Sequence, residues 1–159
     1  MKKILVVYYS KTGNTKRAAD DIARELDADV EAIEDKRKRS GIWGWITSGR
    51  DGMKKMKTEI ETSGKNPAEY DLVIAGSPVW AWNMAPAVRT YLENNKASIK
   101  EYAFFVTSGN TPSEKIVPYM KEIMGREPLA HTGFNTAEFK NKETYDKKIV
   151  KFIGKTRKV

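Results

Sequence analysis

The chain has 159 residues, 40% of them hydrophobic, and carries 29 lysines and arginines against 21 acids, a formal charge of +8. That length supplies one full core but not two ordinary domains, so a single domain over residues 1–159 is expected, and no apolar run reaches the length of a membrane span. There is no cysteine, which excludes disulfides, thiolate metal sites and cysteine-dependent phosphatase chemistry; any redox chemistry must come from a bound cofactor.

The apolar run Ile4-Leu5-Val6-Val7-Tyr8 predicts a first strand from Lys3 to Tyr9. It is short and leads into Ser10-Lys11-Thr12 rather than a small-residue cleavage site, so it reads as core strand and not signal peptide, and a cytoplasmic location is expected. Ala18, Ala19, Ile22, Ala23 and Leu26 then fall on one face of a helix from Thr15 to Leu26. The turn between them, Ser10-Lys11-Thr12-Gly13-Asn14-Thr15, has the chemistry of a phosphate cradle. First-turn N–H groups of a helix lack intrahelical partners and sit at the positive end of its dipole. Ser10, Thr12 and Thr15 add hydroxyls, and Gly13 permits a backbone that side chains resist. The motif lacks both the Gly-Lys-Ser/Thr ending of an NTPase loop and the spacing of a dinucleotide fingerprint. A plain turn with Asn14 as helix N-cap is the competing reading.

Val30 to Ile33 predicts a short second strand. The stretch from Asp35 to Lys65 is irregular, joining the basic run Lys36-Arg37-Lys38-Arg39 to Ile42, Trp43, Trp45, Ile46, Met53 and Met56. It reads either as a surface crossover, with a helix through Gly49 to Lys57, or as a segment that brings Trp43 or Trp45 to a ligand or partner. Asp71 to Ala75 predicts a buried third strand, followed by Gly76-Ser77-Pro78-Val79-Trp80-Ala81-Trp82-Asn83-Met84-Ala85-Pro86 and a helix from Ala85 to Asn94. Tyr102 to Thr107 predicts a fourth strand ending at Thr107-Ser108-Gly109-Asn110, then a helix from Ser113 to Met124 that Pro118 should kink or break. A last strand is expected within Leu129 to Phe139, interrupted near Gly133, and a last helix from Lys142 to Ile153. Strands alternating with helices give an α/β fold: a parallel sheet of five strands, doubly wound, with helices on both faces.

The three loops together resemble those of the flavodoxin family. Ser10, Lys11, Thr12, Gly13, Asn14 and Thr15 are similar to that family's FMN-phosphate loop, departing only at its variable second position; Gly76 to Pro86 resembles its isoalloxazine loop; Thr107, Ser108, Gly109 and Asn110 stand where the family carries its other flavin-flanking loop. The resemblance implies a flavodoxin-like sheet of order 2-1-3-4-5, with FMN at the carboxyl-end switch point. It implies cofactor contacts from Ser77, Pro78, Val79, Trp80, Ala81, Trp82 and Asn83, with Trp80 the first choice to stack on the ring and Trp82 the second. Asn83 tolerates a left-handed backbone better than most residues. The third loop has no aromatic, which leaves the second flavin face unassigned.

No catalytic residue or metal ligand is expected, and the single histidine, His131, reads as structural. A receiver domain would want an aspartate where this chain has Ala75-Gly76-Ser77. The resemblance therefore implies a monomeric, FMN-dependent electron carrier shuttling between redox partner proteins, with no membrane association. An NAD(P)H-dependent quinone or nitro reductase on the same fold is the alternative. A basic nucleic-acid-binding module is a further one, disfavoured because lysines alternate with acids in stretches such as Lys140-Asn141-Lys142-Glu143. Family members of low potential surround the flavin with acids, whereas this chain would be an unusually basic member. One cation about 10 Å from an anion in water is worth roughly 0.4 kcal/mol, so a weaker reductant that docks on acidic partners is expected.

Overall fold

The computed structural model describes residues 1–36 and 58–158. The expected helix through Gly49 to Lys57, the basic run beyond Lys36, and Trp43 and Trp45 lie outside the described residues.

The first strand, β1 (Ile4–Tyr8), is buried at every position, with Leu5 and Val7 facing one core and Ile4, Val6 and Tyr8 the other. A strand buried on both faces needs a continuous apolar run rather than an alternating one, which is what the sequence has. Helix α1 (Asn14–Leu26) follows and buries Ala18, Ala19, Ile22 and Ala23. β2 (Asp29–Ala32) lies parallel to β1 on its outer side, Val6 opposite Val30. A small antiparallel pair, β3 (Glu34–Asp35) with β4 (Ile60–Glu61), brackets the crossover. Glu31 of β2, 1% exposed, ties that crossover down. It accepts hydrogen bonds from Ser63 Oγ (2.8 Å), the Lys65 N–H (3.0 Å) and Tyr91 Oη (3.3 Å).

β5 (Leu72–Trp80) pairs with β1 on one side and with β7 (Glu101–Ser108) on the other. It runs five residues past the expected end at Ala75, because β6 (Asn83–Met84) folds back on it as a hairpin. Helix α2 (Pro86–Asn95) begins with a proline in its first turn, where the missing N–H costs nothing. The expected kinked helix from Ser113 is instead a single 3₁₀ turn, Ser113–Lys115, and then α3 (Val117–Met124), in which Pro118 is the second residue. Pro118 thus starts a helix rather than breaking one.

β8 (His131–Asn135) is shorter than expected and passes through Gly133 without interruption. A Cβ at that position would lie 3.4 Å from both the Ser113 nitrogen and Val106 Cγ2; the glycine admits a close crossing of chain rather than a break. Helix α4 (Lys142–Thr156) is capped by Asn141, whose Oδ1 accepts the Thr144 N–H.

The parallel order is β2-β1-β5-β7-β8, the doubly wound arrangement implied by the resemblance. α1 and α4 cover one face, where Ile22, Phe105, Phe134 and Phe152 meet. α2 and α3 cover the other, where Val88, Tyr91, Leu92, Phe104 and Met120 meet. Burying each such large side chain contributes about 1.5–3 kcal/mol, and the two cores hold the strand ends in fixed register beneath the loops.

Candidate functional site

The carboxyl ends of β1, β5 and β7 lie side by side, with Tyr8 opposite Gly76 and Pro78 opposite Thr107. All three sequence motifs therefore come together at one end of the sheet, on the side of the switch point where the chain reverses its winding.

The first loop enters α1 through Gly13, the N-cap residue, at φ 101°. Ser10 Oγ accepts the Gly13 N–H at 3.1 Å, folding the loop into a tight turn. Asn14 is the first helical residue and not the cap, contrary to the plain-turn reading, and no side chain caps α1. The first-turn donors of a 13-residue helix are thus left open at the loop. Thr15 is 2% exposed and its Oγ1 lies 2.7 Å from Thr107 Oγ1, so the first loop is joined directly to the third. Lys16 turns away to Asp20 at 2.5 Å. Beneath the loop, burial raises the Tyr8 phenol above its ordinary pKa, the Lys16 charge opposing and Asp20 assisting.

The second loop is a two-residue hairpin. Trp80 pairs with Asn83, leaving Ala81 (φ 48°) and Trp82 (φ 61°) at the tip. Positive φ at both central residues is the pattern of a type I′ turn, which normally selects Asn-Gly. The left-handed positions are therefore Ala81 and Trp82, not Asn83, which is 3% exposed and accepts the Met84 N–H through its own Oδ1. Ser77 also works within the loop. Its hydroxyl accepts the Ala85 N–H and donates to the Pro78 carbonyl, both at 2.8 Å. These bonds fix the path from β5 into α2.

Trp80 is partly buried, edge-on to Tyr9 with centroids 5.5 Å apart, and Lys11 places its ammonium 5.8 Å from the Trp80 ring centre. Trp82 is 64% exposed, a large apolar surface left in water at the loop tip. The third loop turns at Ser108, whose Oγ accepts the Thr111 N–H (2.8 Å) and donates to the Thr111 carbonyl (3.1 Å). Gly109 and Asn110 project beyond it, exposed. Two members of this assembly escape sequence reasoning: Tyr9 as the partner of Trp80, and the Thr15 to Thr107 contact, which joins residues 92 apart in the chain.

His131 packs under the third loop rather than in it. Its Nδ1 lies 2.9 Å from Ser113 Oγ, and its ring stacks on Phe104 at 5.5 Å. Among the described residues no group of acids or histidines could hold a metal, and no helix is long and apolar enough to cross a membrane.

An uncapped helix N-terminus, an aromatic hairpin and a third polar loop at the ends of adjacent strands define a flavodoxin-like α/β protein. A family model described as Flavodoxin matches residues 3–149, so the chain belongs to the flavodoxin family, with that family's FMN-associated redox role. A flavoprotein from Lactobacillus acidophilus NCFM, solved in complex with FMN, is 28% identical; the match covers 89% of this chain and 98% of that one, with a TM-score of 0.73. A flavoprotein from Bacteroides eggerthii DSM 20697 is 24% identical over 94% of this chain and 99% of its own, with a TM-score of 0.75. A flavodoxin from the domain Archaea is 17% identical over 98% and 99%, with a TM-score of 0.55.

Proposed function

We propose that this protein binds FMN across its three loops and carries electrons between partner proteins. The observation that carries this reading is the open N-terminus of α1, its N-cap a left-handed glycine and its first turn without a side-chain cap. Unpaired N–H donors at the positive end of a helix dipole suit a phosphate. The donors present are neutral: the backbone N–H groups of Thr12, Asn14 and Thr15, the Gly13 N–H being taken by Ser10 Oγ, and the hydroxyls of Ser10 and Thr12. The hairpin from Pro78 to Asn83 and the turn from Thr107 to Asn110 would flank the ring, and Trp80 and Trp82 offer it aromatic faces. The solved relative from Lactobacillus acidophilus, which holds FMN, supports the same assignment.

FMN, when bound, supplies one- and two-electron transfer. The protein's part is to orient the ring, keep water from its inner edge and set the charge around it. Ser77, Asn83 and Ser108 each hold their loop by hydrogen bonds to neighbouring backbone, which makes the site rigid before the ligand arrives. Lys11 stands over Trp80, so its charge acts at the ring end of the site. With a formal charge of +8, the protein favours the more negative, reduced flavin and is drawn to acidic partners.

Titration of the protein into FMN, followed by loss of flavin fluorescence, tests the assignment. Stoichiometric quenching is expected, with no oxidation of NAD(P)H unless a separate reductase is supplied. Direct NAD(P)H oxidation by the loaded protein would assign it instead to the reductases of this fold, and absence of quenching would refute FMN binding.

A further inference from the structure

Beyond the third strand-end loop, whose last residue Asn110 reaches its rim, a cavity of about 330 Å³ lies along β8, between the segment Asn110 to Glu114 and helix α4. Among the described residues β8 is the outermost strand, with β7 its one neighbour. Phe104 stands opposite His131 and Ser108 opposite Asn135, while the Phe104 N–H bonds to the Ala130 carbonyl and the Thr136 N–H to the Ser108 carbonyl. In a parallel ladder this pattern turns the backbone groups of His131, Gly133 and Asn135 outward, away from β7.

Two of these outward groups are already taken by side chains. Lys148 donates to the Gly133 carbonyl at 2.8 Å, and Glu138 accepts the Asn135 N–H at 2.8 Å. Lys148 and Glu138 in turn pair with each other at 2.6 Å. This clasp blocks the edge against an added strand, so the cavity suits a small molecule and not an extended peptide.

The lysines of α4 show where charge is left over. Lys142, Lys147 and Lys148 each pair with a carboxylate. Lys151 and Lys155, one helical turn apart, have no such partner among the described residues, and both line the cavity. Thr132 and Gly133 supply a hydroxyl and an outward N–H along the same wall. Glu114 stands on the other side, so the charge balance suits a ligand with one anionic group and a hydroxyl, rather than a polyanion.

We propose that this cavity is a second binding site, for a small hydroxylated molecule bearing one phosphate or carboxylate, with the anionic group facing Lys151 and Lys155. The site shares only Asn110 with the third loop and no residue with the first two, and it does not rest on the FMN assignment.

Amide NMR of the uniformly ¹⁵N-labelled protein tests it, with FMN added first to fill the first loop. Glycerol 3-phosphate and glycerate are titrated separately, and the tighter of the two identifies the headgroup. Saturable perturbation of the Thr132, Gly133, Lys151 and Lys155 amides is expected with at least one of them. The Lys151→Gln/Lys155→Gln variant should weaken binding about tenfold, whereas Lys142→Gln/Lys147→Gln, which removes the same charge from the same helix, should change it less than about twofold. Non-saturating shifts, shifts confined to Thr12 through Thr15, or equal losses in the two variants would overturn the proposal. If the protein takes up no FMN, the same titration is run without it, because the first-loop amides report on that loop separately.

Discussion

Gly76→Ala tests how closely the central strand is packed beneath the site. Gly76 lies in β5 opposite Tyr8 on one side and Phe105 on the other. An added Cβ would sit 2.2 Å from Phe105 Cζ and 2.7 and 2.8 Å from its two Cε atoms. Carbon atoms in contact prefer about 3.5–4.0 Å, so the ring would have to retreat by more than an ångström. Phe105 is fully buried and meets Phe134 behind it at 6.4 Å between centroids, so it has little room to move. Alanine would otherwise favour the strand over glycine by about 0.5–1 kcal/mol. Overpacking of this kind costs about 1–3 kcal/mol, which reverses the sign. A net loss of about 1 kcal/mol is expected, or roughly 2–4 °C in Tm for a chain of this size. Urea unfolding followed by far-UV circular dichroism measures it, with an unchanged m-value showing that the unfolded state is unaffected. Phe105→Leu removes the ring atoms that clash, so the double variant should be more stable than the sum of the singles by about 1 kcal/mol or more. A Gly76→Ala protein as stable as the parent, or strict additivity, would refute the packing argument.

Thr15→Val and Thr107→Val should each cost about 1–3 kcal/mol by stranding a buried hydroxyl, while the double variant recovers much of the loss; additive urea midpoints would show that the contact between them carries no energy. Gly13→Ala meets no atom within 4 Å, so its penalty is that of the φ 101° backbone, about 1–2 kcal/mol, and FMN affinity by fluorescence titration should fall about tenfold. Replacing Ala81-Trp82 by Asn-Gly relieves two left-handed side-chain residues and should raise stability by about 1 kcal/mol; a lower Tm would refute the strained-hairpin description. Burial holds the phenols of Tyr91, Tyr102 and Tyr145 well above their ordinary pKa, with Glu31 adding to the effect at Tyr91 and Asp21 at Tyr145. The folded state therefore keeps protons that the unfolded chain releases above about pH 10, so stability is whole below that pH and falls as pH rises towards the folded values. Absorbance at 295 nm should rise together with loss of the circular dichroism signal; tyrosine ionisation within an intact fold would contradict it.

The strand pattern was legible because β1 and β5 are buried on both faces and so read as unbroken apolar runs, and because Ala18, Ala19, Ile22 and Ala23 repeat at helical spacing. The three motifs were legible because each directly follows such a run. What remained hidden depends on partners distant in sequence. β5 continues to Trp80 only because β6 returns against it. Gly133 reads as an interruption until Ser113 is seen lying over it. Pro118 reads as a kink until the chain ahead of it proves to be a separate 3₁₀ turn. The two left-handed residues of the hairpin are an alanine and a tryptophan, types that give no local signal for that conformation, whereas the neighbouring asparagine does.

The helix that offers its N-terminus to the first loop is held from behind by residues synthesised long after it. Tyr145 Oη donates to Asp21 at 2.8 Å, and Arg157 donates to the Glu25 carbonyl at 2.7 Å, across 124 and 132 residues of sequence. Thr15 likewise waits for Thr107. A nascent chain emerging from the ribosome therefore carries the first loop early, without the supports that give it shape. Under the FMN assignment proposed above, loading becomes an event of the finished protein, because α1 gains its supports only when α4 and the third loop have docked.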